Sequence, residues 1–327
     1  MLALYCESKC DIYILSIVRG EEKVVNQSKN KKKNFQWSSA YLYLIPWLIG
    51  LLVFRIYPFI EAFRISLFNE RIGRPAEFVG LANFREILFG ETMNGNLFRH
   101  SLSITFRYVF LTVPLVLVVA LFVAFILNFK IKGIGFFRTA FYIPSILGGS
   151  VSVAILWRAV FGNQGLVNSF IGVFGIEPIG WMVQGNTAMI VMALLRAWQF
   201  GSVMLIFLSA LQNVPTSLYE AASIDGATKV RQFFSVTVPI ITPTILFNTI
   251  NILVAAFQEF NAPFLVPAEP GGPNNSTLLL NLFIYDRAFV MNNFGIAAAA
   301  SWVMFIVIMI FTMIIFKFSN KYVFYND

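Results

Sequence analysis

The sequence is short of charge, of histidine and of cysteine, and each shortage excludes something. Asp, Glu, Lys and Arg together make up 12% of its 327 residues, against about 25% in a soluble domain. Hydrophobic residues reach 58% and the mean hydropathy is +0.74. One aqueous core cannot hide that much apolar surface, so the bilayer is the expected solvent. The single histidine, His100, excludes a histidine-based triad or metal cluster. Cys6 and Cys10 cannot build a disulfide framework or a four-ligand zinc site, and they read as incidental thiols. There is no G-x-x-x-x-G-K-S/T, no H-E-x-x-H and no G-x-S-x-G, so the chain has no nucleotide-hydrolysing loop of its own and little to support an intramembrane enzyme.

What charge there is, a formal net +8, is placed informatively. Its densest run, "KNKKKNFQW", stands just before the first apolar stretch. That is the position of a positive-inside signal rather than of a nucleic-acid patch. The first 25 residues lack a basic start, a long apolar segment and a small-residue cleavage site, so they do not read as a signal peptide. Residues 1–36 are expected to be a solvated cytoplasmic tail, and 37–327 a transmembrane domain.

Six stretches are long and apolar enough to span: about 40–66, 103–128, 136–161, 187–212, 236–262 and 294–318. Unbroken runs of this length exclude barrel strands, which gives an all-α polytopic chain. Pro144, Pro239 and Pro243 fall inside spans, where neighbouring helices can satisfy the freed backbone groups. The basic residues of the tail (Lys29, Lys31, Lys32, Lys33), of the link with Lys130, Lys132 and Arg138, of the link with Lys229 and Arg231, and Lys317 and Lys321 at the end all fall on one side of a six-span chain. With both termini cytoplasmic, that side is inside. The opposite loops carry Arg71, Arg74, Arg85 and Arg99 mixed with Glu70, Glu77, Glu86 and Glu91. They are about 35, 25 and 30 residues long, with a short amphipathic helix expected at "FVGLANFREILF" and turns at "PAEPGGPNN".

The longest cytoplasmic loop is residues 213–235, "NVPTSLYEAASIDGATKVRQFFS". Thr216 or Ser217 is the expected N-cap, with Glu220 in the first turn. Ala221 and Ala222 favour helix, and Gly226 breaks it. A second short amphipathic helix then returns to the membrane. From the residues alone, an interfacial linker and a contact site are equally good readings.

The stretch "EAASIDGATKVRQFFSVTVPIITP" closely resembles the EAA loop of the membrane subunits of binding-protein-dependent ABC importers. Glu220, Ala221, Ala222, Asp225, Gly226, Ala227, Phe233, Pro239 and Pro243 fit that pattern. "FVGLANFREILF", "FYIPSILGGSVSVAILWRAVF" and "GGPNNSTLLLNLFIYDRAF" resemble segments of the carbohydrate branch, similar to maltose-type permeases. The resemblance spans about residues 38–325. It implies a type I ABC importer permease fold in a bacterial cell membrane, with the EAA helix as coupling helix. It also implies four kinds of partner: a second homologous permease, two cytoplasmic ATPase subunits, an extracytoplasmic sugar-binding protein and the sugar itself. ATP and magnesium would sit on the ATPases, leaving this chain without a cofactor. Glu220, Ala221, Ala222, Asp225, Gly226 and Ala227 would then carry the ATPase contact.

Polar groups inside spans are costly and mark candidate paths. Asn248, Asn251 and Gln258 recur at helical spacing, with Glu259 just beyond, and Arg196, Trp198 and Gln199 lie in the fourth span. Amides, acids and aromatic faces are what a sugar needs; inter-helix hydrogen bonding is the competing use of the same groups. Arg55, Arg64 and Arg107 read as structural anchors. A permease for amino acids or phosphate is the nearest alternative. A self-contained secondary transporter is more distant, since no internal repeat relates 40–160 to 187–318.

Overall fold

The computed structural model describes residues 41–129, 132–148 and 150–322. The tail 1–36 with its lysines, Cys6, Cys10, Lys130 and the side chain of Lys321 lie outside them. The chain divides into two units, residues 1–62 and 63–327. In the first, the described part is most of an apolar helix, α1 (Tyr41–Ser66), which carries a π turn at Leu52–Ile56.

The second unit opens with a two-stranded ladder, β1 (Phe68–Asn69) on β2 (Glu77–Phe78), antiparallel with Phe68 opposite Phe78. The short helix α2 (Ala82–Phe89) follows, burying Asn83 and Ile87 four residues apart. Asn83 Nδ2 donates to the carbonyls of Ser66 and Phe68, both at 2.9 Å, and so pins the ladder to the end of α1. Apart from this ladder and a bridge between Arg71 and Asn293, the regular structure of the described residues is helical, as the long apolar runs lead one to expect.

The second span is α3 (Met93–Leu127) and it begins about ten residues before the expected position. Thr92 caps it, its side chain accepting from Gly95 N–H at 3.2 Å. The polar opening "MNGNLFRHSL" carries no hydropathy signal, so an apolarity window starts the span too late. This helix is the axis of the unit. Phe98 belongs to one buried cluster with Phe283 and Ala299, Tyr108 and Val109 to a second with Val191 and Phe257, and Ala120 and Ala124 to a third with Met204 and Phe207. Small alanines let the neighbouring backbone approach closely, which is how helices pack without a hydrophobic force between them.

Three spans are broken. Helices α4 (Ile134–Leu147) and α5 (Val151–Val160) meet at 106°, α7 (Gly185–Trp198) and α8 (Gly201–Gln212) at 48°, and α10 (Lys229–Ile240) meets the segment Thr242–Leu265 at 69°. Between the first two pairs lies α6 (Leu166–Gly172), and before α10 comes α9 (Thr216–Ile224). The segment Thr242–Leu265 contains α11 (Thr242–Phe257) and α12 (Asn261–Leu265). At the third break Pro239 supplies no N–H, and Thr242 Oγ1 donates to the Pro239 carbonyl at 2.6 Å and the Val238 carbonyl at 3.0 Å. After the turns at 271–275 come α13 (Leu280–Tyr285) and the last span, α14 (Phe294–Tyr322).

Candidate functional sites: a braced loop and a cavity of helix breaks

The loop at 213–235 forms the expected helix, bend and helix, with its start differently built. Pro215 occupies the cap position without a side-chain bond, and Thr216 is the first helical residue. Proline fixes the entry backbone, so no hydroxyl cap is used. Glu220 consequently sits beyond the first turn, exposed. The C-terminal end is a Schellman closure: Ala227 N–H reaches the Ala222 carbonyl at 2.9 Å and Gly226 N–H the Ser223 carbonyl at 3.1 Å. Gly226 takes φ +75°, which glycine holds without strain. A Cβ there would meet nothing within 4 Å in this chain, so within the chain the glycine serves the turn rather than a tight contact.

Four residues absent from the sequence-level candidates hold this loop. Tyr219 Oη and Thr237 Oγ1 lie 2.8 Å apart. Gln232, buried, donates through Nε2 to Ser223 Oγ at 2.8 Å and to the Ala227 carbonyl at 3.2 Å. Ser223 Oγ in turn donates to the Tyr219 carbonyl at 2.7 Å. The loop helix is thereby bonded to the foot of the fifth span. Gln232, four positions before the expected start of the span at 236, was the available signal. The outward surface carries two apolar side chains, Ile224 at 87% exposed and Val230 at 68%. Glu220, Ala221, Asp225 and Gly226 are exposed beside them, while Ala222 and Ala227 are partly covered.

The second site is a cavity of about 140 Å³ where the breaks of the third and fourth spans meet the gap between α11 and α12. Ser145, Gly148 and Ser150 come from the first break, Arg196 and Gln199 from the second, Glu259 and Asn261 from the gap between α11 and α12. Arg196 Nη1 donates to Gln199 Oε1 at 3.1 Å, and Gln199 Nε2 donates to the Gly148 carbonyl at 2.9 Å. Glu259 Oε1 accepts from Ala262 N–H at 3.1 Å. The cavity therefore brings together guanidinium donors, carboxylate acceptors and hydroxyls around the ends of broken helices.

Of the seven in-span candidates, Arg196, Gln199 and Glu259 come together here. The other four do not line the cavity. Asn248 is buried, with its amide on the Thr244 carbonyl at 3.0 Å. Trp198 packs on Trp157, ring centroids 5.5 Å apart. Asn251 and Gln258 are exposed on one face of α11 and its end, Asn251 donating to the Phe247 carbonyl at 2.7 Å. The spacing of 248, 251 and 258 suggested one shared face; the 60° offset of Asn248 turns it into the packed side.

The model of the binding-protein-dependent transport system inner membrane component family matches residues 87–324. The chain belongs to this family. Among curated relatives, the probable ABC transporter permease protein YesP of Bacillus subtilis (strain 168) is 41% identical, over 88% of this chain and 93% of its own length. The lactose transport system permease protein LacF of Rhizobium radiobacter is 32% identical over 90% of this chain and 98% of its own. A solved bacterial ABC transporter involved in alginate import superposes with a TM-score of 0.75 over 89% of this chain and 98% of that one, at 20% identity. At that identity the match speaks for the fold, which is the type I importer permease. The permease is a multi-pass membrane protein and a transport subunit rather than an enzyme.

Proposed function

We propose that this permease forms half of the pore of an ATP-driven sugar or oligosaccharide importer and transmits the ATPase stroke through residues 216–232. The observation that carries the coupling half of this reading is the braced loop: an exposed surface with apolar Ile224 and Val230, hydrogen-bonded to the foot of a transmembrane helix through Tyr219, Ser223 and Gln232. A mobile linker has no use for such bracing. A lever needs it, because a push on the loop must move the span. In this reading both termini face the cytoplasm and a second permease completes the pore. Two ATPase subunits, carrying ATP and magnesium, grip the coupling loops, and an extracytoplasmic binding protein delivers the solute. Glu220 and Asp225 offer carboxylates to basic groups on the ATPase.

The substrate class rests on the relatives, named for transport of lactose, arabinooligosaccharides and multiple sugars. It is supported by the chemistry of the cavity, where Arg196, Gln199 and Glu259 present donors and acceptors suited to hydroxyl groups. Asn251 on α11 and Gln258 at its end, exposed outside the cavity, add amides to the proposed path. A relative named for sn-glycerol-3-phosphate transport, 31% identical, keeps a small polyol phosphate as the second reading. The test is ATPase stimulation of the assembled complex in proteoliposomes by a panel of binding proteins loaded with oligosaccharides or glycerol phosphate. Stimulation by an oligosaccharide-loaded protein is expected; stimulation by glycerol phosphate alone overturns the sugar reading.

A further inference from the structure

No charged residue lies between Arg158 and Glu177. This stretch joins the third and fourth spans, so one span separates it from the loop at 213–235 and it lies on the opposite side of the bilayer. Within it α6 is clamped on one side. Asn168, buried, donates through Nδ2 to the carbonyls of Gly162 (3.2 Å), Asn163 (3.1 Å) and Ile179 (3.0 Å). Its Oδ1 accepts from Ile179 N–H at 3.1 Å and Trp181 Nε1 at 2.9 Å. Phe161 and Trp181 pack edge to face with centroids 5.7 Å apart. Both ends of the stretch are thereby fastened where their spans leave the membrane.

The clamp turns the other side of the helix outward, and that side is apolar. Leu166, Phe170, Val173 and Phe174 are 72%, 66%, 80% and 68% exposed. Their spacing, i, i+4, i+7 and i+8, puts all four within about 100° of one another. Such a face is too apolar to be left in water. A surface built for an aqueous protein partner would carry charged groups at its rim, and no charged residue lies between Arg158 and Glu177. The exposed polar residues Asn163 and Gln164 precede the helix, and Ser169 flanks the apolar face. A short amphipathic helix fastened at the exit of two spans matches an element lying in the membrane interface.

We propose that α6 and the turn after it form an interfacial element, with Leu166 and Phe170 of the helix and Val173 and Phe174 of the turn resting on the acyl chains of the leaflet opposite the coupling loop. By floating there it sets the height of the outer ends of the third and fourth spans, whose breaks line the cavity. The proposal uses the multi-pass membrane assignment and does not depend on which solute is carried.

The test uses the full complex in lipid nanodiscs, with Cys6→Ser and Cys10→Ser as background. Nitroxide labels go on single cysteines at Phe170, Val173 and Phe174, and at Gln164 as an aqueous control. Labels on the apolar face are expected to relax strongly with oxygen and weakly with a water-soluble nickel chelate, and the label at 164 the reverse. Nickel accessibility at 170 and 174 equal to that at 164 overturns the proposal. So does protection from both reagents, which assigns the face to a protein neighbour. The unmodified chain provides the second measurement, photo-crosslinking with a phospholipid bearing a diazirine in its acyl chain. Adducts are expected on the peptide spanning 166–174, and their absence while the spans are labelled also overturns the proposal.

Discussion

The braced loop and the cavity solve opposite problems with similar means. The loop is built from one short stretch, and its hydrogen bonds join residues at most 18 positions apart, as between Tyr219 and Thr237. The cavity gathers side chains from Ser145 to Leu265, and the bond that ties its second break to its first joins residues 51 apart. The loop turns Glu220, Ile224, Asp225 and Val230 outward, where the proposed function places the ATPase. The cavity folds its polar groups inward, where side chains bond to the backbone at the helix ends, as Gln199 does to Gly148 and Glu259 to Ala262. Local construction stiffens the loop, as the proposed relay needs. Assembly from three spans makes the cavity sensitive to any relative movement of those spans, which is what a gated path requires.

The largest expected effect is at Gly226. Valine cannot hold φ +75° without about 1–2 kcal/mol of strain, and it would open the Schellman closure at Ala222 and Ser223. Gly226→Val is expected to abolish uptake with normal membrane insertion. Gly226→Asn tolerates the left-handed turn, and within this chain its Cβ meets nothing. Uptake lost by more than tenfold in the asparagine variant, with insertion intact, assigns the glycine to the partner's approach; full uptake reduces its role to the turn.

Gly201 is the corresponding test of the cavity. A Cβ there would fall 2.5 Å from Ser145 Oγ, 2.6 Å from the Phe141 carbonyl and 2.8 Å from Tyr142 Cα. Two of these are backbone atoms, so Gly201→Ala must push the third and fourth spans apart. Overpacking of this kind costs about 1–3 kcal/mol, and a lower thermal midpoint with reduced uptake is expected. An unchanged midpoint would mean that the two spans are not locked at this crossing.

Within the cavity the chemistry separates from the packing. Glu259→Gln keeps the shape and the bond from Ala262 N–H while removing the charge. Uptake is expected to fall by about tenfold, the equivalent of ~1.4 kcal/mol, with basal ATPase activity of the complex unchanged. Asn248→Leu, on the packed side of α11, is expected to leave uptake near wild type. If the order of these two reverses, the cavity is not on the path.

The two regions were not equally legible. Six spans could be read because long apolar runs have one explanation. The loop could be read because Glu220 to Gly226 carries its whole signal in neighbouring residues. The cavity was half readable: Arg196, Gln199 and Glu259 stand out as polar groups in apolar runs, whereas Ser145, Gly148 and Ser150 look like ordinary small residues until Gln199 reaches across to them. The break at 199–200 contains no proline and left no mark in the sequence. The early start of α3 at Met93 was hidden for a related reason, since hydropathy reports the bilayer and not the helix that continues past it.

The smallest effect returns to the loop and asks whether the relay is stiff. Tyr219→Phe removes one hydroxyl and leaves Thr237, buried, without that partner. One such hydrogen bond is worth about 1 kcal/mol, too little to unfold the chain. If the brace only stabilises, uptake should stay near wild type while the thermal midpoint falls slightly. If it transmits motion, ATP hydrolysis should continue while uptake per ATP falls a few-fold, because the loop yields before the span moves. The second outcome is expected. Combining Tyr219→Phe with Gln232→Leu, which removes the bonds to Ser223 and Ala227, should deepen the uncoupling by more than the two single losses add, since either brace alone still joins the loop to the span.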